Sequence, residues 1–313
     1  MNTHSACKII FAITFIIFSF LSLSQVASNY DSIIKVINNT ESEDEKVNIY
    51  FNNTPYYSYS ESELKATNLR LLEKINPEDK EHFEIATTLI EGLFFSHNHM
   101  YDSAEIKLNT VVERSKDKDI QFYMEGINGL ALLYLYQNRP EKTISFTDSI
   151  ISNGTSHIPN TKLGLTHQYR GACFQEMDYL NLSTREFLIA DSLLPDNADK
   201  AQNYVDLAIN YGFLDDFESA ESYLLKAQEL NKKLQNEYGA NITKINFGIL
   251  YRKQNKYQKS DSILLSAKKY FESIEDIRII TGLEGELLEN QTLKANFSEA
   301  ILGLKKHIKS DFY

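Results

Sequence analysis

The side chains able to do chemistry are few in this chain and poorly grouped. His97 and His99 stand two apart, close to Asp102. Such a pair could ligate a metal, but a zinc-type site needs three or four ligands, and no Cys or further His stands at that spacing. The pair therefore reads as part of a solvated turn. His82, His157, His167 and His307 are scattered. Cys173 lies within an apolar helical pattern and reads as a small buried residue. No Ser occupies a G-x-S-x-G elbow, and neither G-x-x-x-x-G-K-[ST] nor G-x-G-x-x-G occurs. Asp and Glu are abundant, but their pairs read as solvated helix faces. The N-x-[ST] triplets, such as Asn153-Gly154-Thr155, are near chance in an Asn-rich chain. These residues predict no catalytic group, no metal and no cofactor.

The elements that carry these residues are helical. The chain has 313 residues, long enough for two domains or one repeat array. Its 42% hydrophobic content can build a sizeable core, while 12 Gly and 5 Pro are too few for a turn-rich sheet protein. The formal charge of -11 argues against nucleic acid, because phosphate contacts need clustered Lys and Arg. Residues 1–28 read as a secretory signal peptide: Lys8, then an uncharged apolar run from Ile9 to Leu23, then Ser24, Ala27 and Ser28 as small cleavage-site residues. The run is short for a membrane span, so a membrane is reached only if this leader stays uncleaved. Cys7 leaves with the leader, so no intramolecular disulfide is expected. The expected protein is exported, to the periplasm or beyond the cell.

An internal repeat follows. Five turns are each followed by an aromatic or Leu and then a small residue: Met100–Ala104, Asp178–Ser183, Asp215–Ala220, Asn255–Ser260 and Ala295–Ala300. A sixth, Asn138–Thr143, has Pro140 in the aromatic position. The small residues Ala104, Thr143, Ser183, Ala220, Ser260 and Ala300 recur every 37 to 40 residues. Before each of the first five, a small and a large residue stand three apart: Gly92/Phe95, Ala131/Tyr134, Gly171/Phe174, Ala208/Tyr211 and Gly248/Tyr251. Three-residue spacing puts both on one helix face, where the small residue lets a partner helix approach. After the mark, apolar residues return every three or four, as at Leu224 and Ala227 or Leu264 and Ala267. The unit is helix, short turn, helix, and such units must stack to bury their apolar faces.

In these residues the chain resembles the tetratricopeptide repeat (TPR) family. Leu207–Ala220 carries the family pattern almost in full, and Asn246–Tyr251 with Tyr257, Leu264 and Ala267 repeats it. The resemblance implies an all-α, right-handed superhelical solenoid. Six repeats are placed over 85–313, starting near 85, 124, 164, 201, 241 and 281. Residues 29–84 form an N-terminal extension or diverged capping repeat. The period near 40 exceeds the family's 34, which predicts longer helices. The sixth repeat is degenerate, with Leu288 and Gln291 in the small and aromatic positions.

The resemblance further implies a groove lined by first helices. Its inward sites fall on Leu89, Asn128, Gln168, Val205, Ile245 and Gly285 before the small residue. They fall on Leu93, Leu132, Ala172, Ile209, Ile249 and Glu289 after it, with Leu135, Tyr136, Gln175 and Arg252 further along. Chaperone-binding members of the family clamp a terminal carboxylate with Lys and Asn, and this set is missing. The expectation is a non-catalytic module binding a protein or peptide in an aliphatic groove with a central amide patch, as an exported scaffold or adaptor. The alternative is a bacterial envelope sensor module lacking its output domain, since the chain stops at Tyr313 inside the sixth repeat. Ile301, Leu302 and Leu304 on the last helix would then be uncovered, which makes a homodimer through that end an expectation.

Overall fold

The computed structural model describes residues 39, 80–152 and 156–310. The expected leader, and the N-terminal extension apart from residues 39 and 80–84, lie outside these residues. From Lys80 onward the chain is a succession of helices. They are α1 (Lys80–His97), α2 (Tyr101–Ser115), α3 (Ile120–Tyr136), α4 (Pro140–Ser152), α5 (Asn160–Glu176), α6 (Leu180–Leu193), α7 (Ala198–Phe213), α8 (Phe217–Lys233), α9 (Glu237–Lys253), α10 (Tyr257–Ser273) and α11 (Ile277–Ser310). No strand occurs among the described residues. Each helix packs on the next in sequence, and α1, α3, α5, α7, α9 and α11 also pack one along the other. The first helices thus form a continuous layer, with a second helix set between each successive pair. This is an all-α solenoid.

The first helices begin three to five residues before the expected starts. Those opening turns mix polar residues with buried apolar ones, such as Phe122, Tyr238 and Ile279, and capping side chains mark several of the starts. Asp119 accepts from the amides of Gln121 and Phe122 at 2.8 and 3.1 Å, Asn197 from Lys200 at 3.1 Å, and Asn236 from Gly239 at 3.0 Å. The longer period is accommodated in the helices, as expected: α9 and α10 have 17 residues each.

The evenly spaced small residues mark helix crossings. Ala104, Thr143, Ser183, Ala220 and Ser260 are all fully buried. Each stands twelve residues after the small residue of its first helix. Where it bears a hydroxyl, that hydroxyl donates across the crossing to a carbonyl: Thr143 to Ala131 at 3.1 Å, Ser183 to Gly171 at 2.7 Å, Ser260 to Gly248 at 2.7 Å. A large side chain one turn later caps the gap. A methyl group on Gly171 would lie 2.6 Å from the Phe187 ring, and one on Gly248 2.5 Å from Leu264. The small residues of the first helices are therefore a record of close helix approach.

The turns between paired helices share one backbone device. His99, Asn138, Asp178, Asp215 and Asn255 all have φ between 55° and 62°. The amide of the next residue reaches back to a carbonyl in the last helical turn, as from Met100 to Phe95 at 2.9 Å and from Lys256 to Tyr251 at 2.8 Å. The sixth turn, expected around Ala295–Ala300, is absent: α11 runs unbroken for 34 residues. In register with the five left-handed residues stands Ala295. Alanine is the best helix former and resists positive φ, whereas Asn and Asp tolerate it. The helix continues accordingly, so no separate last helix follows this turn.

Candidate interaction surface

The first-helix layer brings the expected groove residues into two populations. Leu93, Leu132, Leu135, Tyr136, Ile209 and Ile249 are half-buried. Leu89, Asn128, Gln168, Ala172, Gln175, Val205, Ile245 and Arg252 are buried. Leu89 belongs to the core of the first units, and Val205 and Ile245 to later clusters. Gly285 has open space where a side chain would be, and Glu289 lies 3.0 Å from Arg252.

The buried polar members join one first helix to the next. Asn128 donates to the Lys162 carbonyl at 3.1 Å and accepts from the Thr166 hydroxyl at 2.9 Å. Lys162 pairs with Glu125. Gln168 donates to Asp206 at 3.1 Å, Gln175 to Asn210, and Arg252 pairs with Glu286. The amide patch is thus engaged between repeats. Among the described residues, no cation stands beside Asp206. Burial pushes its carboxyl up to about 7, although amide hydrogen bonds from Gln168 and Gln202 pull the other way. Gln202 also leaves its Oε1 buried without a partner, so rotating that amide is open to it.

Two further features carry no sequence signature. His167 meets Glu186 at 2.6 Å, and Arg170 joins Glu186 at 3.3 Å and Asp148 at 2.7 Å, tying α4, α5 and α6 together. Burial raises the Glu186 carboxyl, but the His167 hydrogen bond and the Arg170 charge outweigh it and hold it below its ordinary range. Cys173 is buried, and burial pushes its thiol up to about 12, far from a reactive thiolate. His99 is exposed in its turn with Nδ1 2.7 Å from the Tyr101 hydroxyl, while His97 closes α1. No group of three or more His, Cys, Asp or Glu able to hold a metal occurs among the described residues. Among them, too, no helix is long and apolar enough to cross a membrane.

This architecture is shared with solved structures. The chain superposes on BtubC (BKLC) from P. vanneervenii with a TM-score of 0.51 and 14% identity, over 79% of this chain and 92% of that one. It superposes on a Signal Transduction ATPase with Numerous Domains (STAND) protein with a tetratricopeptide repeat sensor, from Pyrococcus horikoshii, with a TM-score of 0.56 and 16% identity. That match covers 85% of this chain but 43% of the other, so the chain spans less than half of that protein's length. At such identities the likeness is one of fold. No family model matches the sequence, and neither does any curated protein sequence. Fold and repeat together define a TPR-like helical-repeat protein.

Proposed function

We propose that this chain is a non-catalytic binding module that takes a protein or peptide along its first-helix layer, without cofactor or nucleic acid. One observation carries the reading. Leu93, Leu132, Ile209 and Ile249 recur at one register, each a residue past the small residue of its helix, and all are half-buried. A repeated row of partly covered aliphatic side chains along an open-ended stack is suited to an extended or helical partner. The test is a Leu132→Lys/Ile209→Lys double variant with unchanged helicity and melting. Proteins captured from the native envelope by the wild type, identified by mass spectrometry, are expected to be lost by the variant. An unchanged set sinks the reading.

Export through residues 1–28, as a scaffold or adaptor of the cell envelope, completes the proposal. Amino-terminal sequencing of the protein from its native source should find cleavage after Ser24, Ala27 or Ser28; an intact leader makes it a membrane anchor. Self-association through the end of α11 is expected as a concentration-dependent dimer in sedimentation. A second reading, a sensor module, is supported by the fold likeness to the STAND protein whose repeats are described as a sensor.

A further inference from the structure

We propose that a trough between α6 and α7, separate from the first-helix row, binds a peptide segment through one acidic side chain flanked by apolar residues. The trough encloses about 500 Å³. Leu188 and Ile189 of α6, Tyr211 of α7 and Leu214 just past its end form its walls. Leu188 and Leu214 are each 42% exposed, so the trough presents uncovered aliphatic surface.

Arg185 supplies the charge. It lies in the trough wall, is exposed, and has no hydrogen-bond or ion partner among the described residues. Every other described arginine has one: Arg114 with Glu84, Arg139 with Gln137, Arg170 with Asp148, Arg252 with Glu286, and Arg278 within its own surroundings. On a chain of net charge -11, a guanidinium left over beside an apolar trough is complementary to a carboxylate. Asn181, one helical turn before Arg185, also lines the trough and is exposed without a described partner.

This pairing favours a peptide over a fatty acid. A fatty-acid carboxylate can only accept and leaves the Asn181 carbonyl oxygen unmatched, whereas a peptide backbone offers that amide both a donor and an acceptor. The position of Arg185 favours a side-chain carboxylate over a chain end. The α6 wall runs from Asn181 to Ser192, about 16 Å at ~1.5 Å per residue. Arg185 stands within that length, so a ligand seated on it continues to either side.

The test uses an array of fluorescein-labelled decapeptides in which two Leu or Phe flank one Glu at separations of two to five residues. Each has a Gln and a Lys counterpart, and binding to the whole protein is read by fluorescence polarisation. At least one Glu peptide is expected to bind five-fold or more tightly than its Gln counterpart, with the preference shrinking at high salt. Arg185→Gln should abolish the Glu preference, and Arg185→Glu should reverse it in favour of the Lys peptide; both exposed-site variants should keep wild-type helicity. The proposal is overturned if no Glu peptide binds below 1 mM, if Glu and Gln peptides bind alike, or if the Arg185 variants bind like the wild type. It is equally overturned if laurate, and no peptide, competes for the trough. The Leu132→Lys/Ile209→Lys variant should bind these peptides normally, so loss of the first-helix reading and loss of this one are separate outcomes.

Discussion

Asp206 shows how one buried group can set a pH dependence. Its carboxyl titrates at about 7 in the folded chain against an ordinary 3.8. Between those values the folded state holds the proton and the unfolded state does not. Its contribution to stability therefore falls as pH rises from about 4 to 7 and stays lost above that. Asp206→Asn, with the Gln202 amide rotating to offer its idle Oε1, should raise the melting temperature at pH 8.5, and the gain should shrink as pH falls toward 4. A gain equal at both pH values would refute this. Two glycines give a second contrast. Gly248→Ala should destabilise by about 1–3 kcal/mol, because Leu264 is fully buried and 2.5 Å from the added methyl. Gly212→Ala, with nothing within 4 Å, should be neutral or stabilise by up to ~1 kcal/mol. Denaturant melts of the two variants check the pair.

At the scale of elements, the turns decide where helices stop. Two connections between repeats also place a non-glycine residue at positive φ: Gln235 at 54° and Glu275 at 56°. Neither side chain suits that region as Asn does. Gln235→Gly and Glu275→Gly should each stabilise by about 0.5–1 kcal/mol in thermal melts. Most of this architecture was legible in the chain, because close crossings demand small residues and the spacing of Ala104, Thr143, Ser183, Ala220 and Ser260 exposes them. The helix starts were less legible, since Asp119, Asn197 and Asn236 mark them through only one or two capping bonds each. The sixth turn was misjudged because Phe297 and Ala300 fit the pattern while Ala295, the residue that had to turn, did not. For the amide patch, the sequence placed Gln168 and Gln175 on the first helices. It could not show that Asp206 and Asn210, 38 and 35 residues on, would meet them. The trough beside Arg185 left no periodic trace at all.

Across the whole molecule, the junctions between repeats are matched in polarity. Asn210 donates to Ser183 and Asn290 to Ser260, each at 2.7 Å, and the Thr143 hydroxyl draws the Cys173 thiol downward against the effect of burial. Where the earlier residue is alanine, the later one is leucine: Leu133 packs in the cluster of Ala104, and Leu250 in that of Ala220. A mismatched junction buries an unpaired polar group, at about 1–3 kcal/mol. Ser260→Ala and Asn290→Leu should each destabilise, while the double variant, which copies the Ala220/Leu250 junction, should recover part of the loss. Additive losses in a double-mutant cycle would exclude coupling.

The same matching limits how such a chain can shrink or grow by losing or duplicating a unit. Excising the repeat of α5 and α6 would bring Thr143 against Asn210, a hydroxyl against an amide. Removing that of α7 and α8 would press Ser183 on Leu250, and removing that of α9 and α10 would strand the Asn290 amide over Ala220. Recombination within the gene should therefore tolerate the first deletion better than the other two.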